Sequence, residues 1–300
     1  MCTVPIRIPV LSIVWLIGLS ISNGGAVRAQ QPCSVSLGLS IATAPHIFSV
    51  QQERTLGDIE AGWVESNYPT ALDERLGTHL NAVAGRILSE FPDEQTRVRV
   101  ILIDTPEAES FSVGPERIYI SRKIVASLRN DDELAGLIGH ELGHILAHRN
   151  AVIVSQLFQE ILGIHVVADK NDISEKLRHV FDSMDRDRKS LRKAAQIIEN
   201  QEGIYQQEAD RIALYASAAA GFSPQAYVEL FDRLTGTRGI GSSALTDFFA
   251  APNSNRRRLR DMKKSLKQLP RPCRETVPAD SAEFRTWQAA VISHSDLAGR

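Results

Sequence analysis

The sequence predicts an α+β protein that is mostly helical, with a small antiparallel-edged sheet packed on a helical core and one helix carrying an H-E-x-x-H motif. Three observations carry this expectation. Apolar residues recur at helical spacing along most of the chain, as at Leu76, Leu80, Val83, Ile87 and Leu88. Two short β-branched runs interrupt the pattern, "VRVILID" from Val98 to Asp104 and "RIYIS" from Arg117 to Ser121. Finally, "DELAGLIGHELGHILAHRN", residues 132 to 150, is largely aliphatic yet holds three of the chain's eight histidines.

The first 29 residues read as a secretory signal. Arg7 precedes an apolar run from Pro9 to about Ile21, and Val27-Arg28-Ala29 supplies a small-residue cleavage pattern, with cleavage expected after Ala29. The run is shorter than the roughly 20 residues of a spanning helix, so no transmembrane span is expected once the signal is removed. Cys33 follows "AQQP", which is not a lipoprotein box. Removing residues 1–29 deletes Arg7 and Arg28 and no acid, taking the formal charge from -2 to -4. The run Arg256-Arg257-Arg258 is basic, but the overall balance gives no reason to expect nucleic acid as a partner. Of the three cysteines, Cys33 and Cys273 remain after cleavage, either as a staple between the ends in an oxidising compartment or as two thiols.

Residues 30–52 have no clear period and read as an irregular lead-in. Helices are expected over "VQQERTLGDIEAGWVESN" and "ALDERLGTHLNAVAGRILSEF", followed by the two strands with a turn rich in Pro, Ser and Gly between them. A short helix "RKIVASLR" leads into the histidine helix, which Asn130 or Asp131 can cap while Asp132 and Glu133 favour its first turn. One long amphipathic helix is expected from about 172 to 200 and another from Gln201 to Ala220, ending at Gly221. Pro224 opens the next, and after a glycine-rich break at 236–241 "SNRRRLRDMKKSLKQL" forms the last before a tail at 269–300.

His140 and His144 are four residues apart, so on a helix both rings leave one face about a turn apart. Glu141 lies between them. Two neutral imidazoles in this arrangement can hold Zn²⁺ while the carboxylate takes a proton from the water bound to it, and a random chain of this size would show the pattern only about once in a hundred times. His148, two turns beyond His140, reads as a surface or structural histidine. Ala147 and Asn150 stand where the metzincin pattern needs glycine and histidine, which excludes that family.

Taken together, "DELAGLIGHELGHILAHR", "QEADRIALYASAAAGFSPQA" and "VRVILIDTPEAESFSVGPERIYISRKIV" resemble the gluzincin metallopeptidases of the CAAX prenyl protease and HtpX heat-shock protease family, particularly their soluble exported branch. The likeness covers roughly residues 50 to 265. It implies a gluzincin-like metallopeptidase domain over 53–268 and one Zn²⁺ per chain. It also implies a catalytic Glu141, an Asp210 that supports a ligand histidine, and a third zinc ligand four residues before that aspartate. That position is Gln206 where the family has glutamate, and Glu208 lies about 200° around the helix from Asp210. Three outcomes stay open: Gln206 ligates through its amide oxygen, the helix distorts so that Glu208 reaches the ion, or zinc is held weakly or not at all. A second departure puts Ala251 where the exported branch has a histidine near the metal.

The resemblance further implies zinc-dependent endopeptidase activity on extended or unfolded polypeptides in the periplasm or cell envelope, with outer-membrane assembly machinery as a partner. "RIYIS" resembles the family's edge strand, which pairs with substrate main chain, and plain sheet structure is the other reading of it. Tyr205, Tyr215 and Arg257 are candidate donors to a developing oxyanion. The competing reading is a peptidase fold that has lost efficient turnover and acts as a binding scaffold or holdase.

Overall fold

In the computed structural model, which describes residues 33, 44–70, 74–91, 97–105, 107–236, 252–277 and 281–293, helical periodicity becomes a succession of helices around three strands. The leader with its cleavage point, the glycine-rich break from 237 onward and Ala251 lie outside these residues. Helix α1 (Val50–Asn67) starts at a capping box in which Ser49 and Gln52 exchange side-chain and backbone hydrogen bonds. Helix α2 (Glu74–Leu88) buries Leu76, Leu80, Val83 and Ile87 along one face. Strands β1 (Arg99–Ile103), β2 (Ser110–Val113) and β3 (Arg117–Ser121) follow.

The sheet order is β1-β3-β2, with β1 parallel and β2 antiparallel to β3. "RIYIS" is therefore the central strand, and burial on both faces explains why Ile118, Tyr119 and Ile120 are consecutive large, mostly apolar residues. The edge expected there is β2, a strand hidden in a Ser-rich segment that reads as a turn. Gly114 turns β2 into β3 at φ 55°, where a Cβ would also fall 2.6 Å from the Cα of Gly57 on α1.

A single turn of α3 (Arg122–Val125) leads to α4 (Asp131–Leu146), capped by Asn130 onto the Glu133 amide. Helix α4 is buried continuously from Asp132 to Ile145, so it is the central helix of the core rather than an amphipathic surface element. Helix α5 (Arg149–Leu162) follows at once and α6 (Lys170–Arg186) after a short connection. The amphipathic stretch at 172–200 is divided. Asp187 takes an extended conformation (φ -135°, ψ 117°), ends α6 and caps α7 (Arg188–Ala219) through the amides of Lys189 and Ser190. Helix α7 then runs for 32 residues and absorbs the separate helix expected from Gln201.

Helices α4 and α7 approach closely because α4 presents glycine at 139 and 143. A Cβ at Gly143 would lie 2.7 Å from the Cα of Ala209, and one at Gly139 3.0 Å from the Cα of Ala213. Gly136 makes room for the Tyr227 ring of α8 (Pro224–Gly236). The amino end of α4 is fixed to the same region: Asp132 accepts from the Ser223 amide at 2.6 Å, and Arg233 pairs with Glu133 at 2.8 Å.

Helices α9 (Pro252–Gln268), α10 (Arg271–Arg274) and α11 (Ala282–Ser293) complete the fold. The stretch read as a tail thus contributes to the core, where Phe284, Trp287 and Val291 are buried and the Trp287 indole donates to the Leu76 carbonyl at 2.9 Å. Cys33 and Cys273 are joined in a disulfide across 240 residues. Among the described residues no helix is long and apolar enough to cross a membrane.

Candidate active site and metal centre

Helical spacing on α4 places His140 and His144 side by side, with their rings edge to face at 87° and their Nε2 atoms 3.1 Å apart. Both are buried, as is Glu141. With ligand bonds of about 2.05 Å, tetrahedral zinc holds two nitrogens about 3.3 Å apart, so the two rings are spaced for a single ion. The Nδ1 atom of His140 lies 3.0 Å from both Asp210 Oδ1 and the Tyr227 hydroxyl. Placed there, Asp210 favours a proton on Nδ1, which leaves Nε2 with a lone pair directed toward His144.

Asp210 is reached from the facing helix, one turn from Gln206 on the same side of α7. Tyr227 donates to Asp210 at 2.9 Å, and Arg258 of α9 makes two hydrogen bonds to it at 2.7 and 2.8 Å. Burial alone would raise the Asp210 carboxyl, but the Arg258 charge and the hydrogen bonds from Arg258 and His140 outweigh it and hold the group far below the usual range. Burial, and then the Asp210 charge, push the Tyr227 phenol upward, so it stays a donor.

The histidines open onto a cavity of about 270 Å³ lined by Ser110, Phe111, Ser112, Glu141, Arg149, Ile153, Ile198 and Gln206 as well. Ser110 donates to Glu141 Oε1 at 2.8 Å, and Ser112 is a second hydroxyl partner of the carboxylate. Burial raises the Glu141 carboxyl despite the opposing pull of His140, Ser110 and Arg149. Burial likewise drives His144 well below its ordinary value, with His140, Arg149 and Arg258 adding to the effect, which keeps its ring neutral and able to ligate. Among the described residues its Nδ1 has no hydrogen-bond partner.

The structure thus brings His140, Glu141, His144 and Gln206 to one cavity and sets Asp210 behind His140. Glu208 is not part of it. Two residues along from Gln206 it points away and pairs with Arg211, which leaves α7 undistorted. His148 is also outside, paired with Glu53 on α1. The residues gathered at the cavity are chemically suited to a divalent metal: two imidazoles and a neutral side-chain amide, beside a carboxylate.

None of the three donors suggested for an oxyanion lines the cavity. Arg257 is exposed beside Asp261, Tyr205 packs with Ala147 and Val152, and Tyr215 packs against the main core. Arg149, at the first turn of α5, lines the cavity. Sequence reading also missed Tyr227 and Arg258. Tyr227 shows only helical apolar spacing, and Arg258 is hidden in a run of three arginines of which it alone is buried.

A mostly helical α+β core with an H-E-x-x-H helix facing a Q-x-x-x-D helix defines a metallopeptidase-type fold and site. The model for Peptidase family M48 matches residues 71–266, and the chain belongs to that family. Among curated proteins it is similar to the Beta-barrel assembly-enhancing protease of Yersinia pestis, 24% identical over 214 residues, covering 71% of this chain and 44% of that protein. The protein of the same name from Escherichia coli strain K12 is 22% identical over 192 residues, covering 64% and 39%. The chain therefore spans less than half the length of these relatives.

Proposed function

We propose that this chain is a zinc-dependent endopeptidase of the cell envelope that cleaves extended or unfolded polypeptides in protein quality control. The observation that carries the reading is Glu141, a buried carboxylate with a raised proton affinity, fixed by Ser110 beside two imidazoles spaced for one ion. His140, His144 and Gln206 are the residues that would hold zinc. Bound there, it would supply Lewis-acid polarisation of a carbonyl and an acidified water.

The chain's own residues divide the remaining work. Glu141 accepts the proton released as water attacks the peptide carbonyl and returns it to the leaving amine. Asp210 and Tyr227 keep the proton of His140 on Nδ1. Arg149 places a positive charge at the cavity wall, where an oxyanion would develop. Strand β2, on the outer side of the sheet, offers its backbone to an extended peptide by strand addition. The signal-like leader supports an exported setting, and the similarity to beta-barrel assembly-enhancing proteases supports a place beside beta-barrel assembly.

Gln206 specifically favours a second reading, a weakened peptidase that binds client proteins as a scaffold, because a neutral amide holds zinc less firmly than a carboxylate. Assaying zinc content and cleavage of unfolded casein by the mature chain and by Glu141→Gln separates the two. The enzyme reading expects equal zinc and a loss of cleavage of roughly 10²–10⁴-fold in the variant. Absence of cleavage by either protein, with zinc bound, supports the scaffold.

A further inference from the structure

Outside the cavity, His46, Glu53 and His148 converge from three separate parts of the chain. Each offers a ligand atom, and these atoms all lie within 4.8 Å of one another. His148 Nδ1 sits 2.8 and 2.9 Å from the two oxygens of Glu53, and the His46 and His148 rings are 5.3 Å apart. Glu53 is buried on α1, whereas both rings are only partly covered, leaving a side open to water. The backbone of Phe48 is a hydrogen-bond partner of the His46 ring, while the buried Nδ1 of His46 has no hydrogen bond of good geometry among the described residues. A buried imidazole nitrogen without a partner is a cost that ordinary packing avoids.

We propose that His46, Glu53 and His148 form a second site for a divalent transition cation of the zinc class, separate from the H-E-x-x-H centre. Two imidazoles and one carboxylate are a common three-donor set for such ions, with water completing the shell. The cation would give the His46 nitrogen a partner and take over the carboxylate now shared with His148. Closing on an ion draws the donors to about 3.3 Å from one another. His46, on an irregular and partly exposed segment, can make that movement.

Position gives the site a purpose. His148 is the one non-glycine residue with positive φ among those described, at φ 51° and ψ 30°, and it forms the joint between α4 and α5. Such a conformation persists where surrounding contacts enforce it. The next residue, Arg149, lines the candidate active-site cavity. A cation at His148 would lock that joint and tie the lead-in and α1 to the end of the metal helix.

The test is a metal count on chelator-stripped protein reloaded with Zn²⁺, and separately with Co²⁺ followed by its visible absorption. The wild-type chain is expected to bind two equivalents and His46→Ala one, with unchanged circular dichroism. In His140→Ala/His144→Ala one equivalent with Co²⁺ bands should remain, and adding His46→Ala should remove it. A single wild-type equivalent that survives His46→Ala overturns the second site and leaves the catalytic one standing. A single equivalent lost in His46→Ala but kept in His140→Ala/His144→Ala supports the second site and instead overturns the zinc reading of the cavity. Two equivalents retained by His46→Ala also overturn the proposal. Because His46 lies on an irregular, partly exposed segment, its variant remains interpretable even where the double histidine variant fails to fold.

Discussion

Asp210→Asn should separate two jobs that one carboxylate performs. The first is to balance Arg258: the two side chains are only 4% and 3% exposed and are joined by hydrogen bonds of 2.7 and 2.8 Å. Opposite charges about 4 Å apart in a protein of effective dielectric near 20 attract by about 4 kcal/mol, and removing one member of a buried pair typically costs about 3–5 kcal/mol. At about 2–4 °C per kcal/mol for a chain of this size, the metal-free variant should melt on the order of 10 °C lower. The second job is to hold the His140 Nδ1 proton, whose loss should weaken zinc binding by about 10–100-fold. Adding Arg258→Met to Asp210→Asn removes the stranded guanidinium, so most of the melting temperature should return. Zinc affinity should not, since the residue supporting His140 is still altered. Thermal melts of chelator-treated protein and zinc titrations of all four members of the cycle decide the matter. A single Asn variant that melts within about 2 °C of wild type, or a double variant that regains both properties, refutes the division.

Further outcomes follow from other contacts. Gly143→Ala puts a methyl group 2.7 Å from the Ala209 backbone, so α4 and α7 must separate; a loss of about 1–3 kcal/mol in urea unfolding is expected, with weaker zinc binding. Gln206→Glu adds a negative charge at the ligand position proposed above, and competition against a chelator should then show zinc held on the order of tenfold tighter or more. Burial raises Glu60 to about 7 against the lowering pull of Asn150, so the folded chain holds a proton there that the unfolded chain releases near pH 4.5. Its contribution is therefore favourable at low pH and is lost as pH rises through about 7; Glu60→Gln should gain stability relative to wild type between about pH 5 and 8, measured by unfolding midpoints. Reduction of the Cys33–Cys273 bond, which spans 240 residues, should destabilise the chain by about 5 kcal/mol, read as a lower melting temperature in reductant.

Local signals made much of the fold legible. The capping box before α1, the apolar stripe of α2 and the Asn130 cap of α4 are each encoded within a few residues, and those helices begin or lie close to where the periodicity places them. Strand β2 was not legible, because a four-residue strand of Ser, Phe, Ser and Val beside a turn looks like the turn itself. Nor was the break at Asp187, where one side chain that caps a new helix overrides a continuous amphipathic pattern. In the site, the i and i+4 spacing reveals His140 and His144 because both lie on one helix. Tyr227 and Arg258 come from α8 and α9, and their approach to Asp210 is set by tertiary packing that no local pattern records. The orientation of Glu208 did follow from helical phase alone, since α7 stays regular and carries that side chain around to Arg211.

The Cys33–Cys273 bond turns all but the ends of the described chain into a covalent ring. A single cut by a protease inside that ring releases no fragment. The nicked protein would run as one species until thiol is added and then fall into two. Damage of this kind would pass unseen on a non-reducing gel, and an oxidising environment would hold the severed halves in register.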